Sequence, residues 1–261
     1  MRKLLIALLA GVIILSAAPP VQAFDLTNLK GHWRLNEASG TRVDAHSTND
    51  LTDNNTVTQA AGKIGNAAQF TRANSEYLSR ADNADLSLGA DQDFTITAWV
   101  YLDIKTVNLS VIAKRAGGAN TVEYQIKYET TPDRLMLKIS DGASNQTENA
   151  DNFGAVSTGA WIFVVAWHDA TADTINIQVN NGTVDSAAWA NGTQDTGNAF
   201  LIGAENSPSP ENHWDGRIDS PSFFKRVLTA QERTDLWSGG NGIDYPFTPA
   251  AAKRAFGVII Y

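Results

Sequence analysis

Cysteine is absent from all 261 residues. This excludes disulfide staples, a thiol nucleophile and thiolate metal sites, so the chain must be held by packing, with a metal ion as the available supplement. The four histidines, His32, His46, His168 and His213, are scattered and show no zinc spacing. No phosphate-cradling loop, nucleophile elbow, internal repeat, low-complexity block or linker-like stretch occurs. Positive charge is in short supply: 20 Lys and Arg stand against 28 Asp and Glu, a net charge of −8. That balance disfavours nucleic acid and anionic membranes as partners.

What is present begins with an export signature. Arg2 and Lys3 precede an apolar run from Leu4 to Leu15, and small residues end in Val21-Gln22-Ala23. This pattern predicts a signal peptide over residues 1–23, cleaved before Phe24, and a secreted, periplasmic or cell-surface protein. The run is shorter than the roughly 18 residues of a membrane span, so no span is expected after cleavage. Loss of Arg2 and Lys3 takes the net charge to about −10. The length predicts one large domain over residues 24–242, followed by a tail or edge strand over 243–261.

Alternation marks the strands. Phe94–Leu102 and Trp161–Trp167 are apolar or β-forming on both faces and read as central strands covered on each side. Tyr124–Glu129 and Leu135–Ile139 alternate as half-exposed strands do, and Ile175–Val179 turns its amides outward. Asn181-Gly182 predicts a hairpin turn, and Thr131-Pro132-Asp133 predicts a turn between two strands. Shorter candidates are 33–35, 68–70, 77–78, 109–113, 200–202 and 216–224. One helix is expected: Thr229 to Glu232 form a capping box, and the helix should run to about Trp237 and stop at Gly239-Gly240. About a dozen strands and one helix predict an all-β sandwich of two packed antiparallel sheets.

The motifs then converge. Leu29–Thr41 followed by Asp44, Gly62–Phe70, Glu76-Tyr77-Leu78, Asp93–Val100, Gly216-Arg217-Ile218-Asp219 and Arg226–Glu232 succeed one another in an order that resembles the laminin-G-like, concanavalin A-like jelly-roll lectin and glucanase family. The resemblance spans roughly Leu29 to Trp237. It implies a jelly roll of two curved antiparallel sheets, often with a structural calcium ion. It implies glycan binding, adhesion or service as an accessory module of polysaccharide-degrading enzymes. The chain departs from the family pattern after Asp219, where Ser220-Pro221 replaces an expected acidic residue. Pro221 cannot donate to a ladder, so its strand should be an edge or be bulged there.

Under that resemblance Asp44 and Asp219 are the metal candidates. Calcium takes six to eight oxygens, and pairing of the first and last strands would bring the two aspartates together. The competing reading makes each a local turn anchor that binds backbone amides. The paired-glutamate E-x-D-x-E strand motif of laminarinase-type relatives is missing. The glutamine-isoleucine-histidine strand motif of the superfamily's alginate lyases is echoed only by Gln125-Ile126-Lys127, so no catalytic residue is nominated. Sugar rings stack on exposed indoles. Trp33, Trp99, Trp161 and Trp167 read as core, whereas Trp189 and Trp214 lie near turns and, with Asn191 and His213, are the candidate ligand contacts. The expected function is a secreted, non-catalytic, lectin-like module that binds a glycan or polysaccharide. A structural or adhesive component, docking a protein partner through the apolar tail, is the alternative, and a hydrolase or lyase with an unfamiliar site is the third.

Overall fold

The computed structural model describes residues 23–207 and 209–248. The predicted signal peptide up to Gln22 and residues 249–261 of the predicted tail therefore lie outside the described residues. No helix among the described residues is long and apolar enough to cross a membrane.

Two antiparallel sheets face each other. The eight-stranded sheet runs in the order β13 (Asp185–Ala188), β12 (Thr174–Val179), β11 (Trp161–Asp169), β6 (Phe94–Leu102), β17 (Gly216–Phe224), β4 (Asn66–Phe70) and β3 (Thr58–Ala61), with β1 (Leu29–His32) also on β17. The seven-stranded sheet runs β10 (Asn145–Asn149), β9 (Arg134–Ser140), β8 (Val122–Glu129), β7 (Leu109–Arg115), β14 (Phe200–Ile202), β5 (Tyr77–Arg80) and β2 (Thr52–Asn54). A small hairpin of β15 (Glu205–Asn206) and β16 (Pro210–Glu211) stands apart. The expected jelly-roll sandwich is the observed one.

The period-2 patterns place the core. Phe94, Ile96, Ala98, Val100 and Leu102 of β6 meet Tyr124, Ile126 and Tyr128 of β8 and Leu135, Leu137 and Ile139 of β9 between the sheets. Each such side chain contributes about 1.5–3 kcal/mol on full burial. The outer face of the eight-stranded sheet is covered as well. There Trp99, Phe163, Val165, Trp167 and Phe224 pack under α1 (Ala230–Trp237) and the segments around Phe24 and Phe247. Trp237 stacks on Trp99 with centroids 5.3 Å apart. This second layer is why β6 and β11 are apolar on both faces. Ile243–Phe247 forms no strand: Phe247 is buried 5.0 Å from Phe24, so this part of the predicted tail belongs to the packed body.

Local chemistry explains the joints. Thr229 and Glu232 make the predicted capping box, and the helix stops at Ser238 in the left-handed region just before Gly239. The hairpin after β12 turns one residue earlier than expected, at Asn180 and Asn181, both with positive φ. Asparagine tolerates that region, and the Gly182 N–H closes the turn on the Val179 carbonyl at 3.0 Å. β17 is no edge, since β6 flanks it on one side and β4 and β1 on the other. It absorbs Pro221 in a bulge between Asp219 and Ser222, with Ser220 at φ 49°.

Candidate functional site

The metal candidates come first. Asp219 is fully buried on the outer face of β17, in register with Trp99. Its Oδ2 accepts from the backbone N–H groups of Lys63 at 2.7 Å and Ile64 at 2.8 Å, and its Oδ1 from the Ser220 hydroxyl at 2.8 Å. Burial pushes this carboxyl up to about 6, with the amide and hydroxyl donors pulling the other way. Asp219 thus anchors the tight turn between β3 and β4. A Cβ on Gly62 of that turn would lie 2.7 Å from Asp219 Oδ2, which is why the turn admits glycine there. Asp44 does the same work for another loop. Its Oδ1 accepts from the N–H groups of His32 at 3.0 Å and His46 at 2.9 Å, and its Oδ2 from that of Asn49 at 3.1 Å.

β1 does pair with β17, as the resemblance implied. The two aspartates nevertheless share no hydrogen-bond partner, and each carboxylate is ringed by N–H donors whose positive ends point where a cation would have to sit. Calcium needs converging oxygens. Among the described residues no group of three or more acids or histidines could hold a metal ion. The residues present do not fit calcium at this pair. They fit the turn-anchor reading.

The candidate sugar contacts separate. Trp214 has no exposed surface and Trp189 is 7% exposed, and both belong to the core between the sheets. The Trp189 indole donates to the Gly192 carbonyl at 2.6 Å. Neither ring face is open: Trp189 directly follows β13, Trp214 lies two residues before β17, and both rings fill space between the sheets. Asn191 is exposed and donates to Ser144 at 2.9 Å, among the loops at the end of the sandwich where β8 and β6 begin. His213 lies at the opposite end, where β6 ends and β7 begins.

There His213 borders a cleft of about 570 Å³ whose polar lining includes Arg72, Ser75, Asn108, Glu211 and Asn212. Three connections build it: residues 71–76 between β4 and β5, residues 103–108 between β6 and β7, and the β16 end of the hairpin. Glu76 is buried and pins the first, accepting from the Thr71 N–H at 2.6 Å and the Asn74 amide at 2.8 Å. Asn108 Oδ1 accepts from the Thr130 N–H at 3.0 Å and hydroxyl at 3.1 Å. Asn212 donates through its side chain to Glu205, and its carbonyl accepts from the Ser110 N–H at 2.8 Å.

His213 packs against Tyr77, ring centroids 5.9 Å apart. Burial holds its pKa below the ordinary histidine value. The carbonyls of Glu76 and Pro210 oppose that shift, and Arg72 adds to it. The imidazole is therefore neutral at pH 7 and offers one donor and one acceptor. The lining mixes amides, a guanidinium, a hydroxyl and a neutral imidazole, which suits sugar hydroxyls. Glu211 is its one carboxylate among the described residues, so the pair that glycoside hydrolysis requires is not assembled in it.

Of the four predicted contacts only His213 lies in this cleft. Arg72, Asn108 and Tyr77 escaped the sequence as site residues because they come from two other segments, and nothing in their local pattern marks them as ligand contacts. Half-buried rings lie elsewhere again. Tyr101 and Trp161, the latter read as core, are half-buried and in register on β6 and β11, with the Arg217 guanidinium 3.8 Å above the Tyr101 ring.

Comparison with known proteins agrees with this architecture. The family model described as the concanavalin A-like lectin/glucanases superfamily matches residues 72–232. A search of curated proteins finds no match. Among solved structures, domain 4 of AbnA, an extracellular arabinanase from Geobacillus stearothermophilus in complex with arabinotriose, superposes with a TM-score of 0.58 at 19% identity, covering 80% of this chain and 97% of that domain. The binding domain of Paraclostridial Mosquitocidal Protein 1 gives a TM-score of 0.65 at 14% identity over 82% of this chain, and 52% of its own length is covered. The botulinum neurotoxin serotype D ligand binding domain, in complex with N-acetylneuraminic acid, gives 0.58 at 10% identity over 81% of this chain and 51% of its own. The chain thus spans about half the length of the toxin domains and nearly all of the arabinanase domain. With its strand order, its two-sheet core and a family match over most of its length, this protein belongs to the concanavalin A-like lectin/glucanase superfamily.

Proposed function

We propose that the protein is a secreted, non-catalytic carbohydrate-binding module whose ligand site is the loop-end cleft around His213. The observation that carries this reading is the cleft itself: neutral and cationic hydrogen-bonding groups from three separate connections converge beside an aromatic ring, with one carboxylate in the lining. The likeness to a domain solved with arabinotriose, matched over 97% of that domain, supports it. The alternative of a structural or adhesive component drew on the apolar tail. Residues 249–261 lie outside the described residues, and the part that is described is packed against the sheet.

The test is binding of the chain from Phe24 to a panel of neutral and acidic polysaccharides by affinity electrophoresis, followed by calorimetry with the corresponding oligosaccharides. At least one glycan should bind, and His213→Ala should weaken it about tenfold, the loss of one hydrogen bond in a desolvated site. Retention on none of the panel, or unchanged binding by His213→Ala with the fold intact, would overturn the proposal.

A further inference from the structure

The amino-terminal end of the described chain borders a second cleft, of about 260 Å³, where Ala23, Phe24 and Asp25 meet Arg226, Glu232 and Asp235. The chain changes character at one peptide bond. Ala23 is exposed, whereas Phe24 is buried with its ring 5.0 Å from Phe247 and 6.3 Å from Phe224. The carbonyls that follow are held as well: Arg226 donates to that of Asp25 and, through Nε, to that of Thr27 at 2.9 Å. The backbone nitrogen of Phe24 is therefore fixed by its own ring and by the residue after it, at the rim of the cleft.

The bond between Ala23 and Phe24 is also the one that the export signature marks for cleavage. A protease needs the residues around its target bond exposed and extended, which a buried Phe24 does not permit. Cleavage there would precede the packing of Phe24, and it turns an uncharged amide into an α-ammonium.

The cleft is short of positive charge. Asp25, Glu232 and Asp235 bring three carboxylates against the one guanidinium of Arg226. Glu232 is saturated: it accepts from Arg226 at 2.6 and 2.9 Å, and from the N–H and hydroxyl of Thr229 at 2.8 and 2.9 Å. The Asp25 carboxylate accepts from the Thr27 N–H at 2.8 Å. Asp235 accepts from the Gln231 amide at 2.8 Å and has no cationic partner among the described residues.

We propose that the α-ammonium released at Phe24 pairs with Asp235, so that removal of the signal peptide completes the outer layer of the fold. The inference rests on the reading of the protein as secreted and processed before Phe24. The unprocessed chain carries a neutral peptide bond at this point and leaves Asp235 unanswered, which keeps it less stable than the processed form until export is finished. Pairing costs little entropy, because Asp235 stands on α1 and the nitrogen is held behind a buried ring. Repulsion from Arg226 is offset by Glu232, which is bound to it. An ammonium paired in this way holds its proton more tightly than the unfolded chain does. Its contribution is whole below the ordinary α-amino value of about 8 and is lost as pH rises above it.

The test compares a chain that begins at Phe24, released from a fusion by a protease that leaves no extra residue, with one that begins at Val21, each with and without Asp235→Asn. At pH 7 the Phe24 chain should melt about 2–4 °C above the Val21 chain. The gap should vanish in Asp235→Asn, and in the parent pair it should close by about pH 10. Equal melting of the two parent chains at pH 7 overturns the inference. So does a gap that survives Asp235→Asn or pH 10, since displaced packing and not charge would then account for it. The intact mass of the exported protein checks the reading beneath: a start at Phe24 supports it, and a start elsewhere overturns both that reading and the inference, leaving glycan binding untouched.

Discussion

Asp219 accepts a 2.8 Å hydrogen bond from the backbone N–H of Ile64, 155 residues earlier in the chain. That bond, with its neighbour from Lys63, ties the turn between β3 and β4 to the central strand β17. An aspartate stands within an apolar strand because two backbone donors of a half-buried turn need an acceptor that the sheet cannot supply.

The energetics of Asp219 depend on pH with a definite sign. Its carboxyl is raised to about 6 in the fold from an ordinary 3.8, so the folded state holds this proton more tightly than the unfolded state. Ionisation therefore opposes folding; the penalty is complete above about pH 6 and disappears as pH falls through 6 toward 3.8. Relative to Asp219→Asn, which keeps an acceptor but cannot ionise, the parent protein should gain up to about 3 kcal/mol between pH 7 and pH 4. Urea denaturation of both proteins across that range measures the difference, and a constant gap would contradict it.

Calcium should matter little. Both candidate carboxylates already accept backbone N–H groups, so addition of EDTA or of millimolar calcium should leave the melting temperature unchanged. A substantial calcium-dependent rise, abolished by Asp44→Asn or Asp219→Asn, would show that these loops rearrange to bind it.

His32 acts in the opposite direction to Asp219. Burial, aided by Arg34, lowers its imidazole to about 3, against weaker pulls from Asp244 and Asp44. The ring stacks on Tyr245 at 5.1 Å and bonds the Ser222 hydroxyl through Nδ1 at 2.9 Å. The fold thus requires the neutral form. Its contribution is whole above pH 6.5 and is lost as pH falls from 6.5 toward 3. His32→Gln should be less stable at pH 7 because that packing is gone, and its deficit should narrow by about 3 kcal/mol by pH 4. Guanidinium midpoints at the two pH values provide the check.

Trp214 and Trp189 should behave as core residues. Trp214→Ala should cost about 3–5 kcal/mol of stability, the usual range for truncating a buried aromatic. Trp214→Phe should fold and bind any glycan ligand as the parent does. Loss of binding in a stably folded Trp214→Phe would return the indole to the ligand site.

Lys114 offers a test of buried charge. Its ammonium has no exposed side-chain surface and lies 2.6 Å from Glu123, itself unexposed, and 2.8 Å from Asp82. Burial works against the ammonium, but its bonds to Asp82 and Glu123 hold it above the ordinary lysine value, while burial pushes Glu123 up. Lys114→Met strands a buried carboxylate and should cost about 3–5 kcal/mol, and Lys114→Met with Glu123→Gln should recover most of that. A double variant no more stable than the single one would mean that the pair does not act as a unit.

The sequence by itself determined the sandwich. Period-2 patterns in Phe94–Leu102 and Trp161–Trp167, the capping box at Thr229 and the breaker at Pro221 each state a local requirement that a backbone can meet in few ways, and the structure meets them as a central strand pair, a helix start and a bulge. Even there the hairpin after Val179 chose Asn180-Asn181 over Asn181-Gly182, since both pairs tolerate positive φ and only strand register selects between them. Tertiary structure alone decided the rest. Whether Trp214 or Trp161 shows a face to solvent depends on what covers it. Whether Asp44 and Asp219 meet a cation or an amide depends on which loops close over them, and the clefts at His213 and Phe24 draw on segments far apart in the chain. Burial and convergence belong to sets of residues joined by folding, so no local pattern carries them.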